Sequence, residues 1–268
     1  MIPFPISEDS PVEHGGPLPA EADCVIIGGG VIGICTALYL AKAGLRPVVL
    51  EKGRVAGEQS SRNWGWIRQQ GRDLAELPIM MESLSIWKSL AAEFGPALGF
   101  AQEGVLYPAR SAAELAGFDA WRAEAQGHGL QSQMLTRAQI ADQIAGLAAP
   151  WLGGLFTASD ARAEPATAVP LLAAGAVARG AVLVENCALR RLDRAGGRIT
   201  GVFTEQGRIA CDQVVVAGGA WSALFLRAEG ISSDAFGPDF QRRRATAQRW
   251  GWLRDNAGGA GLGLLVEA

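Results

Sequence analysis

Residues 22–53, ADCVIIGGGVIGICTALYLAKAGLRPVVLEKG, constrain the fold more than any other part of the chain, because they prescribe a strand, a glycine turn, a helix and a second strand ending in an acid. Cys24 to Ile27 form a short apolar run suited to a parallel strand buried on both faces, and its position in the motif predicts a central strand. Gly28, Gly30 and Gly33 follow with G-x-G-x-x-G spacing. In that pattern the first glycine permits the tight turn, the second lets backbone approach a pyrophosphate, and the third lets helix and sheet pack closely. Val31 to Ala43 should then be a helix, with Val31 and Ile32 in its first turn, where free N–H groups and the helix dipole favour anionic charge. Gly44 is placed to stop it, and Val48 to Leu50 read as the second strand. Glu51 at its end, followed by Lys52, lies about 20 residues past the glycines, where an acid accepts from ribose hydroxyls and disfavours a 2′-phosphate. A lone G-x-G-x-x-G is weak in a chain with 35 glycines, but strand, helix and acid around it make a dinucleotide-binding unit.

The next segment, GEQSSRNWGWIRQQGRD from Gly57 to Asp73, is rich in donors. Ser60, Ser61, Arg62 and Asn63 can reach a pyrophosphate and a nearby ring system. Trp64, Gly65 and Trp66 form a bulky, small, bulky pattern that could wall a flat aromatic group, with core packing as the alternative. Arg62, Arg68, Gln69, Gln70 and Arg72 form a cluster able to hold a carboxylate or a carbonyl edge, with a solvated surface as the alternative.

Far downstream come GAVLVENCALRRLD and CDQVVVAGGAWS. With the opening motif and SSRNWGWIRQQ, these pieces resemble the D-amino-acid oxidase-like family of FAD-dependent oxidoreductases, which includes glycine and sarcosine oxidases and D-amino-acid dehydrogenases. The resemblance spans about Ala22 to Gly230 and implies an α/β fold: a Rossmann-like FAD-binding domain with an interleaved, incomplete α+β substrate domain. It implies that backbone at Leu189 lies against the adenine. It also implies that Ala217, Gly218 and Gly219 form a second small-residue turn near the cofactor, closed by Trp221 and Ser222 in a GxWS ending. The implied chemistry is oxidation of a carbon–nitrogen bond in a small amine or amino acid by hydride transfer to flavin, with an electron acceptor left open. Such chemistry needs no strong protein base, and neither His14 in the leader nor His128 in a glycine-flanked turn suits that role. A noncatalytic nucleotide-binding protein and a flavin monooxygenase remain the alternatives.

At 268 residues and 49% apolar composition the chain can bury a substantial core, and a net charge of -3 argues against a nucleic-acid surface. Cys24, Cys35, Cys187 and Cys211 are far apart, without metal or redox spacing, and read as buried thiols in a reducing cytoplasm. The leader, residues 1–21, has five prolines and no basic start, so it reads as a flexible or loosely docked arm rather than a signal or a membrane span. A cytoplasmic location is expected, with peripheral association at the inner face of a membrane left open.

Helical spacing predicts a long helix over Leu74 to Phe94; good helix formers predict helices over Ala112 to Gln126 and Arg137 to Ile144 (capped by Thr136), and an apolar, alanine-rich run predicts one over Ala166 to Arg179. Strands are expected over Gly99 to Pro108, with Tyr107 a candidate to face substrate, and over Ala181 to Glu185 and Val214 to Val216. The expected division is residues 22–98 and 155–231 for the FAD-binding domain, 99–154 for the substrate region, and 232–268 for an atypical tail. That tail has little strand periodicity and a closing glycine group unlike the family's, which suggests a truncated or frameshifted end.

Overall fold

The computed structural model describes residues 5–144 and 150–231, together with the strands Arg249–Trp252 and Leu262–Val266. In chain order the elements begin β1 (Cys24–Ile27), α1 (Val31–Lys42), β2 (Pro47–Leu50), α2 (Gln59–Arg62), β3 (Trp66–Ile67), α3 (Leu77–Phe94) and β4 (Val105–Ala109). They continue α4 (Ala112–Gln126), β5 (Gln133–Thr136), α5 (Arg137–Gln143), β6 (Gly153–Thr157), β7 (Ala161–Arg162), α6 (Pro165–Val177) and β8 (Val182–Val184). The remainder are β9 (Leu189–Ala195), β10 (Arg198–Thr204), β11 (Arg208–Ala210), β12 (Val214–Val216), α7 (Ser222–Ala228), β13 (Arg249–Trp252) and β14 (Leu262–Val266).

The chain divides into two compact units, residues 1–63 with 165–268, and residues 64–164. These boundaries differ from those expected from the sequence. The long helix α3 and strand β6, assigned there to the nucleotide domain in whole or in part, both fall in the second unit.

The first unit is built on a six-stranded sheet in the order β13, β14, β12, β1, β2, β8. β1 pairs in parallel with β12 on one side and β2 on the other, so it is central, as its apolar run requires. Alternation along the strands divides the core between two faces. Val25, Val48, Leu50, Val184, Val214 and Val216 pack with Leu192, Val202 and Ile209 from the antiparallel sheet β9–β10–β11. Helices α1 and α6, which pack on each other, contribute the fully buried Ile34, Leu38 and Leu172. The β9–β10 hairpin, not anticipated from the sequence, turns at Gly196 and Gly197, both at positive φ (59° and 78°), as two-residue hairpin turns demand.

Of the two forms expected for the leader, flexible or loosely docked, this unit shows the docked one, and the tail departs from expectation. The leader is docked: Ala210 N–H donates to Ala20 O at 2.9 Å, and the backbone N–H groups of Glu13 and His14 donate to the Glu185 carboxylate at 2.8 and 3.2 Å. The tail, expected to lack strand character, supplies β14 in parallel register with β12 and β13 antiparallel to β14.

In the second unit, β4, β6 and β5 form an antiparallel sheet contacted by α4, while β3 pairs with β7. Helix α4 starts in a capping box between Ser111 and Glu114, and α5 in one between Thr136 and Gln139, so the cap expected at Thr136 is present. Asp160, fully buried, accepts from the backbone N–H groups of Gln69 and Gln70 at 2.8 and 3.0 Å and from the Gln69 side chain at 3.0 Å.

Candidate dinucleotide site

Gly28 and Gly33 stand where backbone packing leaves no room for a side chain. Gly28 adopts φ 108°, and a Cβ there would stand 2.9 Å from the Ala217 carbonyl carbon and 3.1 Å from Gly218 Cα. The first turn is thereby packed against the second, Ala217 to Gly219, with no room for a side chain between them. At Gly33 a Cβ would lie 3.1 Å from the Gly28 carbonyl carbon, so helix and turn touch backbone to backbone. At Gly30 it would lie 3.0 Å from Ser60 Oγ.

The turn is held from behind. Gly28 N–H donates to Leu50 O at 2.9 Å, and Gly29 O accepts from Ala56 N–H at 3.0 Å. Because the Gly29–Gly30 peptide is trans, the Gly30 N–H lies on the side opposite that carbonyl. Val31 N–H donates to Ser60 Oγ at 2.9 Å. No partner is found among the described residues for the N–H groups of Gly30, Ile32 and Gly33, which leaves three donors beside the positive end of α1.

Glu51 is buried and each of its oxygens accepts one backbone N–H, Oε2 from Gly29 and Oε1 from Gly53, both at 2.7 Å. A carboxylate offers about four lone-pair sites, so two remain for a ribose diol. Burial raises the Glu51 pKa, outweighing the two backbone bonds that favour the charged form. Gly29, which the spacing rule skips, is thus part of the site: it joins the phosphate turn to the ribose acid.

The neighbouring residues take distinct places. Lys52 pairs with Glu58 at 2.9 Å and lies 4.6 Å from the centre of the half-exposed Trp221 ring. Ser61 is buried, its hydroxyl 3.5 Å from Glu58 O. Arg62 donates to Gly57 O at 2.6 Å, and the Asn63 side chain donates to Gln59 O at 3.0 Å, closing the end of α2. Leu189 opens β9 and packs on the core beside the nucleotide strands. Gly219 takes φ 54°, and the hydroxyl of buried Ser222, next to Gly218, has no hydrogen-bond partner among the described residues.

Trp64, Gly65, Arg68, Gln69 and Tyr107 belong to the second unit. Trp64 is 80% exposed and stands edge-on to Trp66 at 5.3 Å, so the core-packing alternative fails for it. Gly65, at φ 69°, accepts from Ala163 N–H at 2.9 Å. Arg68 lies 5.9 Å from the centres of both the Trp66 and Tyr107 rings and donates to Gln70 O. Burial raises the Tyr107 pKa. Gln69 is withdrawn from the substrate set, because its buried side chain is committed to Asp160 and Ser159. Gln70 is likewise a framework residue, bonded to Leu155 O and Thr157.

Sequence reasoning missed Glu185 and Arg54. Glu185 is buried and accepts Val55 N–H at 2.7 Å as well as the two leader amides. Arg54 donates to Ser10 O at 2.6 Å and Glu8 O at 3.0 Å. The available signal was a repeated pattern: VVLE at the end of β2 and VLVE at the end of β8 each close a buried apolar run with an acid.

The residues fit FAD on these grounds: a turn that backbone fills to the exclusion of side chains, three donors at its face, and a buried acid with acceptor capacity left. No group of residues able to hold a metal ion occurs among the described residues, and no helix of them is long and apolar enough to cross a membrane.

Comparison with known proteins agrees. Residues 23–246 match the family described as "FAD dependent oxidoreductase", so the likeness continues beyond Gly230, where the sequence pattern was read as ending. The chain is 30% identical to mouse (Mus musculus) "Sarcosine dehydrogenase, mitochondrial" over 80% of this chain and 24% of the relative. It is 29% identical to "Sarcosine oxidase subunit beta" of Rhizobium meliloti (strain 1021), over 78% of this chain and 52% of the relative. Among solved structures, an L-amino acid deaminase from Proteus myxofaciens superposes with a TM-score of 0.78 at 32% identity, covering 82% of this chain and 51% of that one. The chain therefore spans between a quarter and about half the length of these proteins.

Proposed function

The chain belongs to the family of FAD dependent oxidoreductases, and from that membership we propose that it oxidises the carbon–nitrogen bond of a small amine or amino acid. The observation that carries the reading is the pairing of the backbone-filled turn at Gly28, Gly30 and Gly33 with the buried Glu51. The named activities of the relatives, on sarcosine and on L-amino acids, support the substrate class.

Bound here, FAD would supply a two-electron acceptor for a C–H bond beside nitrogen. The chain's own contribution is binding and orientation. The N–H groups of Gly30, Ile32 and Gly33 and the dipole of α1 hold the pyrophosphate, and the free lone pairs of Glu51 take the ribose hydroxyls. Ala217 to Gly219 keep side chains away from the first turn, and the Ser222 hydroxyl offers a donor beside the second. In the second unit, the Arg68 guanidinium, beside the Trp66 and Tyr107 rings, is the candidate to receive a substrate carboxylate. A cytoplasmic setting belongs to the same reading, supported by four free thiols.

The test is a visible spectrum of the purified chain, with the released cofactor identified, followed by anaerobic addition of D- and L-amino acids and N-methyl amines. Flavin bands that bleach with one of these are expected. Bands that stay oxidised with every candidate reject the oxidoreductase reading and leave a nucleotide-binding protein; a chain that neither carries nor takes up FAD rejects both.

A further inference from the structure

The loop from Gly53 to Gly57 joins the ribose acid to the helix that carries Ser60, and it is under backbone strain. Ala56, fully buried within it, adopts φ 60°, a left-handed conformation in which the Cβ of a residue with a side chain crowds the following carbonyl oxygen. Such strain persists only where surrounding bonds fix the conformation. Here they come from two directions. Ala56 N–H donates to Gly29 O of the phosphate turn, and Val55 N–H donates to Glu185 Oε1 at 2.7 Å.

Glu185 does not act alone. Its other oxygen accepts Glu13 N–H at 2.8 Å and His14 N–H at 3.2 Å, while its own N–H donates to His14 O at 2.8 Å. Arg54, within the strained loop, binds Ser10 O and Glu8 O of the leader and the Asn186 side chain beside Glu185. One buried carboxylate thus couples the leader to the loop, and the loop positions the Gly29 peptide on which the phosphate donors depend.

We propose that residues 8–14 are a strap that holds the nucleotide loop in its binding shape, with Glu185 as the positioning residue that transmits the hold to the phosphate turn. The inference rests on the reading of this turn as an FAD site. It predicts that the strap sets cofactor affinity without touching cofactor: loosening it lowers the fraction of chains in the competent shape, and the apparent Kd rises by the reciprocal of that fraction.

The test separates backbone from side chain at Glu13. Glu13→Pro removes the N–H that Glu185 accepts; Glu13→Ala keeps it. Both alter an exposed leader position, outside the core. FAD affinity is measured on the full chain by flavin fluorescence quenching, and exchange of the Val55 and Ala56 amides is followed in the FAD-free protein. The expected result is a Kd raised about tenfold in Glu13→Pro and in Glu185→Gln, with faster Val55 and Ala56 exchange, and wild-type values in Glu13→Ala. A role in general stability alone would lower the melting temperature yet leave Kd and local exchange, measured well below it, unchanged. Wild-type Kd in Glu13→Pro, or an equal loss in Glu13→Ala, overturns the strap while leaving the FAD site standing. A wild-type chain that binds no FAD overturns the site and the strap with it.

Discussion

Gly33→Ala sets two physical effects against each other. Gly33 is buried in the first turn of α1, where alanine in place of glycine gains at most the about 1 kcal/mol it gains in a helix interior. Its new Cβ, however, would stand 3.1 Å from the Gly28 carbonyl carbon and 3.3 Å from Ile26 Cγ2, with the Gly28 oxygen nearer still, where ordinary contact begins at 3.4 Å. The obstacle is backbone in a turn already bonded to Leu50 and Ala56, so no side chain can swing aside. Overpacking costs about 1–3 kcal/mol, and a backbone obstacle puts this site at or above the upper end. Subtracting the propensity gain leaves a net loss of about 2 kcal/mol, or a melting temperature about 4–8 °C lower at the usual slope for a chain of this size. The displaced turn should also lose FAD affinity by tenfold or more. Gly117→Ala is the control: Gly117 lies exposed in α4 with nothing within 4 Å of a new Cβ, so the same substitution should stabilise by about 0.5–1 kcal/mol. Scanning calorimetry and FAD titration on the three proteins decide the matter. A Gly33→Ala protein as stable as wild type and equally able to bind FAD would refute the close packing of turn and helix.

Ser60→Ala should cost about 1 kcal/mol in chemical unfolding, because Val31 N–H loses the hydroxyl that accepts it at 2.9 Å; an unchanged midpoint would deny that cap. Burial raises the folded-state pKa of Glu51 and Asp160, so the stability they support is complete below about pH 4 and is lost as pH rises through their folded values. The melting temperature of the FAD-free chain should show that decline, and Glu51→Gln should flatten it; an identical slope in the variant would contradict a perturbed Glu51. Burial pushes the Cys24 thiol up to about 12 and the Cys211 thiol up to about 11, and raises Cys187 as well. Ellman's reagent at pH 8 should therefore label at most the half-buried Cys35 rapidly in the folded protein and all four thiols in urea, and fast labelling of two or more in the native state would sink the assignment.

Much of the first unit could be read from local pattern. A buried strand, a glycine turn and a helix leave a period and a backbone requirement in the residues themselves, and β1, α1, β2 and the acid Glu51 fall where that pattern puts them. The helix over 77–94 followed from apolar spacing, and those over 112–126 and 165–177 from runs of good helix formers. At Gln69 local pattern no longer decides the role. A glutamine among arginines reads as a free donor until Asp160, 91 residues away, is seen to consume it. The leader is the larger case: five prolines imply an arm, and nothing near them announces a buried carboxylate more than 170 residues distant that holds Glu13 and His14.

The amino-acid order by itself determined the parallel nucleotide motif, since conformational freedom at Gly28, apolar runs and helical period are properties of neighbours in the chain. Tertiary structure alone decided which polar groups remain available to a ligand. A donor or acceptor is available only if no distant partner has already taken it, and burial couples residues by position in space rather than by order. Glu51 keeps lone pairs to offer, the Gln69 amide spends its N–H donors on Asp160 and Ser159, and Glu185 spends its oxygens tying the leader to the strained loop at Ala56.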